Sequence, residues 1–308
     1  MPIMSSRGAI CIKNYGRVLK RRIPSISTSG FVIFNYGNTP TVSRTTGRDK
    51  HIISTGVVTV AKALLNGSAY HSSISNSTTG ILANGFVGSG TAKREAYLYS
   101  TDTSIVAASA STVCYSGAGA GNDVMGFFHL GFTSAYSIIR NKYAYSTDTN
   151  TLSTSSTLAS CNGAAVGTKT MGVFALASTN SGNSSVTNIL NYATEANTVG
   201  TSLTTMSNLG AAAGNATVGV FALGNSLPTI NIYNYAKATC VAGMSLSVKL
   251  YQGSAGGNDT TGLFGLSAST AIRNKYNYST QAVAVTTSAL SANLLGSAFS
   301  AGITGVNM

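Results

Sequence analysis

The chain has 308 residues, of which 44% are hydrophobic and only 8% charged, and its net charge is +12. That length fits one large or two ordinary domains with a sizeable core. The charged share falls far below the roughly 25% of an ordinary globular chain, which weighs against a metabolic enzyme and for a small-residue, β-rich structural or adhesive protein.

The positive charge gathers at the start. Arg7, Lys13, Arg17, Lys20, Arg21 and Arg22 all precede the first acid, Asp49. Residues 1–29 therefore read as a basic segment, either an anchor for an acidic surface or a solvated tail. They contain no apolar stretch of the secretory type, and no run of about 18 apolar residues predicts membrane insertion. Cys11, Cys114, Cys161 and Cys240 lack CxxC spacing. Reduced thiols made in a cytoplasm are expected, with neither a zinc site nor a disulfide framework.

From residue 30 onward the chain repeats itself. A glycine followed by apolar residues recurs as "GFVIFNYG" at Gly30, "GILANGFVG" at Gly80, "GFFHLGF" at Gly126, "GVFALAS" at Gly172, "GVFALGN" at Gly219 and "GLFGLSA" at Gly262. After each comes a polar loop and then a mostly Tyr-rich segment, at 48–55, 94–101, 140–147, 188–195, 231–238 and 273–280. A Thr/Ser/Val segment follows, such as "VGTSLTTM" at 199–206 or "VAVTTSAL" at 283–290. A short Gly/Ala segment closes the unit, as in "YSGAGAG" at 115–121 and "LGAAAG" at 209–214.

These segments are short, rich in Val, Thr, Tyr and Ile, and bounded by Gly, Asn and Ser, so they predict strands. The Gly-apolar segment is apolar on both alternating faces: Val220 and Ala222 on one, Phe221 and Leu223 on the other. Such a strand is buried on both sides. Four strands per unit, a period of 43–50 residues and two-sided burial predict an all-β fold, a six-bladed β-propeller of four-stranded antiparallel blades. The Gly/Ala strand suits the crowded position nearest the axis. The last one, "GSAFSAG" at 296–302, has no partner downstream, and the first unit has none immediately before it. The C-terminal strand is therefore expected to complete the first blade. A seventh blade would have to be built in part from "GAICIKNYG" at 8–16.

The run "LGAAAGNATVGVFALGN…INIYNYAKATCVAGMSL" resembles a kelch-type propeller repeat. More narrowly, it is similar to the degenerate repeats of tailed-phage structural proteins, cyanophages among them. Gly219–Gly224, "KYAYSTDT" at 142–149 and "GTSL" at 200–203 carry the likeness, which spans about residues 30–302. It departs from kelch in lacking the double glycine and any Trp. The resemblance implies a virion protein of the tail, baseplate, fibre or capsid surface.

No catalytic constellation stands out. Some kelch-like propellers are copper oxidases, but His51, His71 and His129 fall in different units and different strand types. Asp49, Glu95, Asp102, Asp123, Asp148, Glu195 and Asp259 form no clustered pair. Neither a metal nor a cofactor is expected. Tyr143, Tyr145, Tyr192, Tyr233, Tyr235, Tyr276 and Tyr278 sit in the repeated strand and are expected to fill space between blades. The loop at 177–186 is left as a place for sugar contacts. Basic residues recur where the Tyr-rich strand begins: Arg48 and Lys50, Lys93 and Arg94, Arg140 and Lys142, Arg273 and Lys275, with Asn188 and Asn231 in the other two units. They predict a basic crescent on one rim. With residues 1–29 it is expected to dock neighbouring virion subunits; no aromatic-lined groove suggests nucleic acid. Host-surface glycan binding, as an adhesin, is the alternative, and a kelch-type interaction scaffold the third reading.

Overall fold

A computed structural model describes residues 30–37, 44–83, 85–222, 224, 226–249, 253–265 and 271–290, and the backbone of 297–301. The basic segment 1–29, and with it the seventh-blade segment, lies outside the described residues.

Six four-stranded antiparallel sheets form a ring. From the axis outward, blade 1 consists of Ser297–Ala301, Phe31–Asn35, Arg48–Ile52 and Val58–Val60. Blade 2 is Ser72–Ser75, Thr79–Ala83, Arg94–Leu98 and Thr103–Ala107; blade 3 is Ala118–Gly121, Met125–His129, Arg140–Ala144 and Thr149–Ser153. Blade 4 is Ala164–Gly167, Met171–Ala175, Thr187–Asn191 and Asn197–Gly200; blade 5 is Ala211–Gly214, Val218–Ala222, Ile230–Asn234 and Thr239–Ala242. Blade 6 is Ser254–Gly257, Thr261–Gly265, Arg273–Asn277 and Val283–Thr286. A two-residue ladder, Ser178–Thr179 with Gly182–Asn183, decorates blade 4.

Innermost strands touch their neighbours all the way round, and the C-terminal strand closes the circle between blades 6 and 2. It pairs with the first apolar strand, Phe31 opposite Ala301 and Asn35 opposite Ser297. Closure of this kind ties the chain ends together and leaves only the outer strands as sheet edges.

The core is divided into six clusters, one in each interface between blades. Between blades 5 and 6, for example, Ala213, Val220 and Ile232 meet Ala255, Phe264, Tyr276 and Tyr278. This explains the two-sided apolar pattern, since each second strand feeds one cluster with each face. Such close stacking needs small residues. A Cβ on Gly126 of blade 3 would lie 1.9 Å from Ile74 Cδ1 of blade 2.

Strand register shifts the repeat in two places. Val32 stands where Gly80, Gly126, Gly172, Gly219 and Gly262 stand in their blades, so Gly30 is not their equivalent. On the third strand, Arg48, Arg94, Arg140 and Arg273 share their position with Thr187 and Ile230. Asn188 and Asn231 align one residue later, with Asp49, Glu95, Asn141 and Asn274.

Candidate functional site

Of the basic residues that head the third strands, the four arginines are not at the surface. Arg48, Arg94, Arg140 and Arg273 are at most 2% exposed. Each lies in an interface between blades because a blade covers both faces of this strand: alternation aims the tyrosine three residues later at the preceding blade and the arginine at the following one. Arg94, Arg140 and Arg273 lie over Phe128, Phe174 and Phe34 of the following blade, 3.8–4.4 Å from the ring centroids. The lysines stay nearer solvent. Lys50 lies over the Phe31 ring, Lys142 pairs with Glu195 at 2.7 Å, Lys93 is exposed and Lys275 half-buried. Arg7, Lys13, Arg17, Lys20, Arg21 and Arg22 lie outside the described residues.

The next position on that strand ties the ring together. In every blade its side chain accepts a backbone N–H from the loop leaving the preceding blade. The pairs are Leu65 to Glu95 (2.9 Å), Ser111 to Asn141 (2.9 Å), Thr157 to Asn188 (2.8 Å), Thr204 to Asn231 (2.6 Å), Ser247 to Asn274 (2.7 Å) and Leu290 to Asp49 (3.2 Å). These residues are fully buried, so each loop amide that would lose water on burial gains a fixed acceptor.

The three histidines are buried within the ring, and His71 also lines the axial well described below. His129 Nε2 lies 3.0 Å from Ser160 O and Oγ, His71 Nε2 2.7 Å from Ser68 Oγ, and His51 Nδ1 3.4 Å from Arg273 Nη1. Burial, with the neighbouring arginines second, lowers their pKa values to about 4, about 3 and about 4 respectively. They are neutral at physiological pH. Among the described residues no group of three His, Cys, Asp or Glu gathers as a metal site.

The concavities lie on the face where the innermost strands begin. An axial well, enclosing about 370 Å³ open to solvent, is lined by small residues such as Ser72, Gly117, Ala164, Ala211 and Ser254. Its rim is a belt of backbone bonds between successive blades: Ser116 N to Tyr70 O (3.0 Å), Asn162 N to Ser116 O (2.8 Å) and Leu209 N to Asn162 O (3.0 Å). All four belt residues have left-handed backbones, with φ of 55–56°. For a bulky side chain such as that of Tyr70 this conformation costs about 1–2 kcal/mol, and strain of this kind clusters at binding sites.

Beside the well lies a larger basin, about 730 Å³ and open to solvent, walled by Tyr70, Phe86, Tyr115, Phe132 and Tyr136 with Ser116, Cys161 and Asn162. The aromatics form one continuous chain. Centroids lie 6.3 Å apart for Tyr70–Phe86, 6.0 Å for Tyr70–Tyr115, 5.5 Å for Phe86–Tyr115, 5.1 Å for Tyr115–Phe132 and 5.8 Å for Phe132–Tyr136. All five are half-exposed, unlike the strand tyrosines, which are buried or nearly so between blades. The part of the basin that water-sized groups can occupy, about 400 Å³, falls within the ~300–1,000 Å³ of small-molecule sites. Burial raises the Cys161 thiol to about 12, which keeps it a poor nucleophile.

Sequence reading passed over these five residues, although several stand out against the small or polar residues of other blades. Bridge pairings place Tyr115 where other blades have Ala69, Cys161 and Asn208, and Phe86 and Phe132 where blade 4 has Ser178. The loop at 177–186 borders the basin, since Ser178 pairs with Cys161.

No family model and no curated protein matches this chain. Its fold does have company: 505 chains of solved structures match it. One is YjhT, a propeller, at a TM-score of 0.60 and 9% sequence identity over 79% of this chain and 91% of that one. The likeness is one of fold. A propeller carries many unrelated activities, so function has to be argued from the basin itself.

Proposed function

We propose that this protein is a non-enzymatic recognition module that binds carbohydrate in the aromatic basin. The observation that carries the reading is a chain of five touching, half-exposed aromatics beside the polar groups of Ser116 and Asn162. An aromatic face takes the apolar face of a pyranose ring, and nearby hydroxyls and amides fix its orientation. The rigid interblade ties would hold that platform in a preformed shape, which lowers the entropy cost of binding. The resemblance to phage propeller repeats supplies a setting, in which the module would recognise host-surface glycan from a virion. Screening the purified chain against a glycan array tests the reading. The hits should bind the wild type and the exposed outer-strand variant Leu152→Ser alike, and should be lost in Tyr115→Ala and Phe132→Ala. Equal binding by all four proteins would refute it.

A second reading, docking to neighbouring virion subunits, is favoured by the outer edges. No outermost strand contains a charged residue. Val60, Val106, Leu152, Val199 and Val285 are 62–77% exposed, each paired with the buried acid or amide of the third strand. Uncharged edges of this kind invite pairing with another chain. Replacing Val106 and Leu152 by Lys should then block incorporation into a parent particle, as should deleting residues 1–29, while the isolated propeller stays folded. Normal incorporation of both variants would remove this reading.

A further inference from the structure

Two of the four buried arginines have no counter-ion among the described residues. Arg48 faces Glu95, and Arg273 Nη2 lies 2.6 Å from Asp49 Oδ1. Arg94 instead donates to Asn150 Oδ1 at 2.6 Å and Asn141 Oδ1 at 3.2 Å. Arg140 donates to Thr154 O at 3.2 Å and Asn197 Oδ1 at 3.4 Å, and its Nε and Nη2 find no partner among the described residues. Neither makes an ion pair among the described residues. Burial lowers both pKa values only to about 10, so both remain cations at neutral pH.

Both lie in interfaces of the blades that wall the basin, though not in its lining. Arg94 lies between blades 2 and 3 and Arg140 between blades 3 and 4, and blades 2, 3 and 4 supply the basin wall. Arg94 acts electrostatically on Cys114, the chain neighbour of Tyr115. Arg140 pairs across the sheet with His129, whose ring meets Ser160, the neighbour of Cys161. No basin residue is acidic, and exposed Lys93 ends the loop that carries Phe86. Packing does not demand a guanidinium in this slot, because Thr187 and Ile230 fill it in blades 4 and 5.

We propose that the saccharide taken by the basin is acidic, carrying a carboxylate or sulfate that sits above the two uncompensated guanidiniums. The inference rests on the carbohydrate reading. Two buried charges with no counter-ion send their field outward, and the low-dielectric aromatic wall screens it less than water does. At about 10 Å and an effective dielectric near 20, each cation is worth roughly a tenfold preference for an anionic ligand.

The test uses the full chain and matched probe pairs that differ only in charge: oligogalacturonate with its methyl ester, and sulfated with unsulfated oligosaccharide. Affinities are measured for wild type, Arg140→Ile and Arg94→Thr, with folding checked by circular dichroism. These replacements copy Ile230 and Thr187 from the sister blades. The wild type should prefer the acidic member of a pair by at least tenfold, and the ratio should shrink on adding salt. Each variant should lower that ratio by roughly tenfold. Equal binding of both members by wild type, or an undiminished ratio in both variants, overturns the inference while leaving the carbohydrate reading intact. Binding only to neutral oligosaccharides does the same. Wild type that binds no saccharide, on the array or among these probes, overturns both.

Discussion

The four arginines that head the third strands share one backbone position but not one energetic role. Arg48 is locked to Glu95, so Arg48→Ile strands a buried carboxylate and should cost about 3–5 kcal/mol in urea unfolding. Arg140 has no acid to abandon, so Arg140→Ile should be neutral or stabilising by about 1 kcal/mol or more. Equal losses at both positions would contradict the assignment. The turn between third and fourth strands offers a second test. Gly56, Asp102, Asp148, Glu195, Ala238 and Gln281 all occupy left-handed backbone there, at φ of 48–69°. Ala238→Gly should therefore raise stability by roughly 0.5–1 kcal/mol; a lowered melting temperature would count against it. Histidine titration adds a pH dependence. The unfolded chain takes up these protons near pH 6.5, the folded ring only at about pH 3 to 4. Between those values the unfolded state binds more protons. The stability from the neutral histidines is thus complete above about pH 6.5 and lost as pH falls toward 4, by up to a few kcal/mol per residue. Flat urea midpoints from pH 7 to 5 would show the histidines to be accessible. Of these roles only the packing of His129, which sits in a core-strand slot, was legible in the sequence, where the arginines read as surface charge. A period-2 pattern says which residues share a face but not whether a blade covers that face.

The strands themselves were legible because the repeat supplied six copies of one pattern. Glycine in the second strand, Tyr in the third and Gly/Ala in the first each answer to a distance from the axis. Register was less legible at the first blade, where Val32 takes the glycine slot and Gly30 imitates it two residues early. Close approach of neighbouring blades accounts for the glycine itself. Gly126→Ala drives a methyl into Ile74, and overpacking of this kind should cost about 1–3 kcal/mol. The double variant with Ile74→Val should recover part of that loss, since the two side chains compete for one space. Additive losses would place the strain elsewhere. The aromatic basin was invisible for the opposite reason: its aromatics recur in only some of the units, and an alignment that seeks agreement across all six discards them.

At the scale of the whole molecule, the ring depends on one strand from its far end. A chain stopped at residue 296 leaves Phe31–Asn35 without its inner partner and opens blade 1 to its neighbours. Its thermal transition should fall in temperature and broaden, because an open array of repeats unfolds less cooperatively than a closed one; a sharp transition at the wild-type temperature would mean that the closing strand adds little. Closure also sets where function can reside. With six interfaces consumed by packing and polar ties, the faces and the outer edges remain, and one face gathers half-exposed aromatics around a concavity. A crystal structure of the chain soaked with its best-binding oligosaccharide tests this account most directly. A sugar ring stacked on Tyr115 and Phe132, with a polar group toward Asn162, is the predicted result. The saccharide seated against the outer strands or on the opposite face, with the basin holding only water, would contradict it.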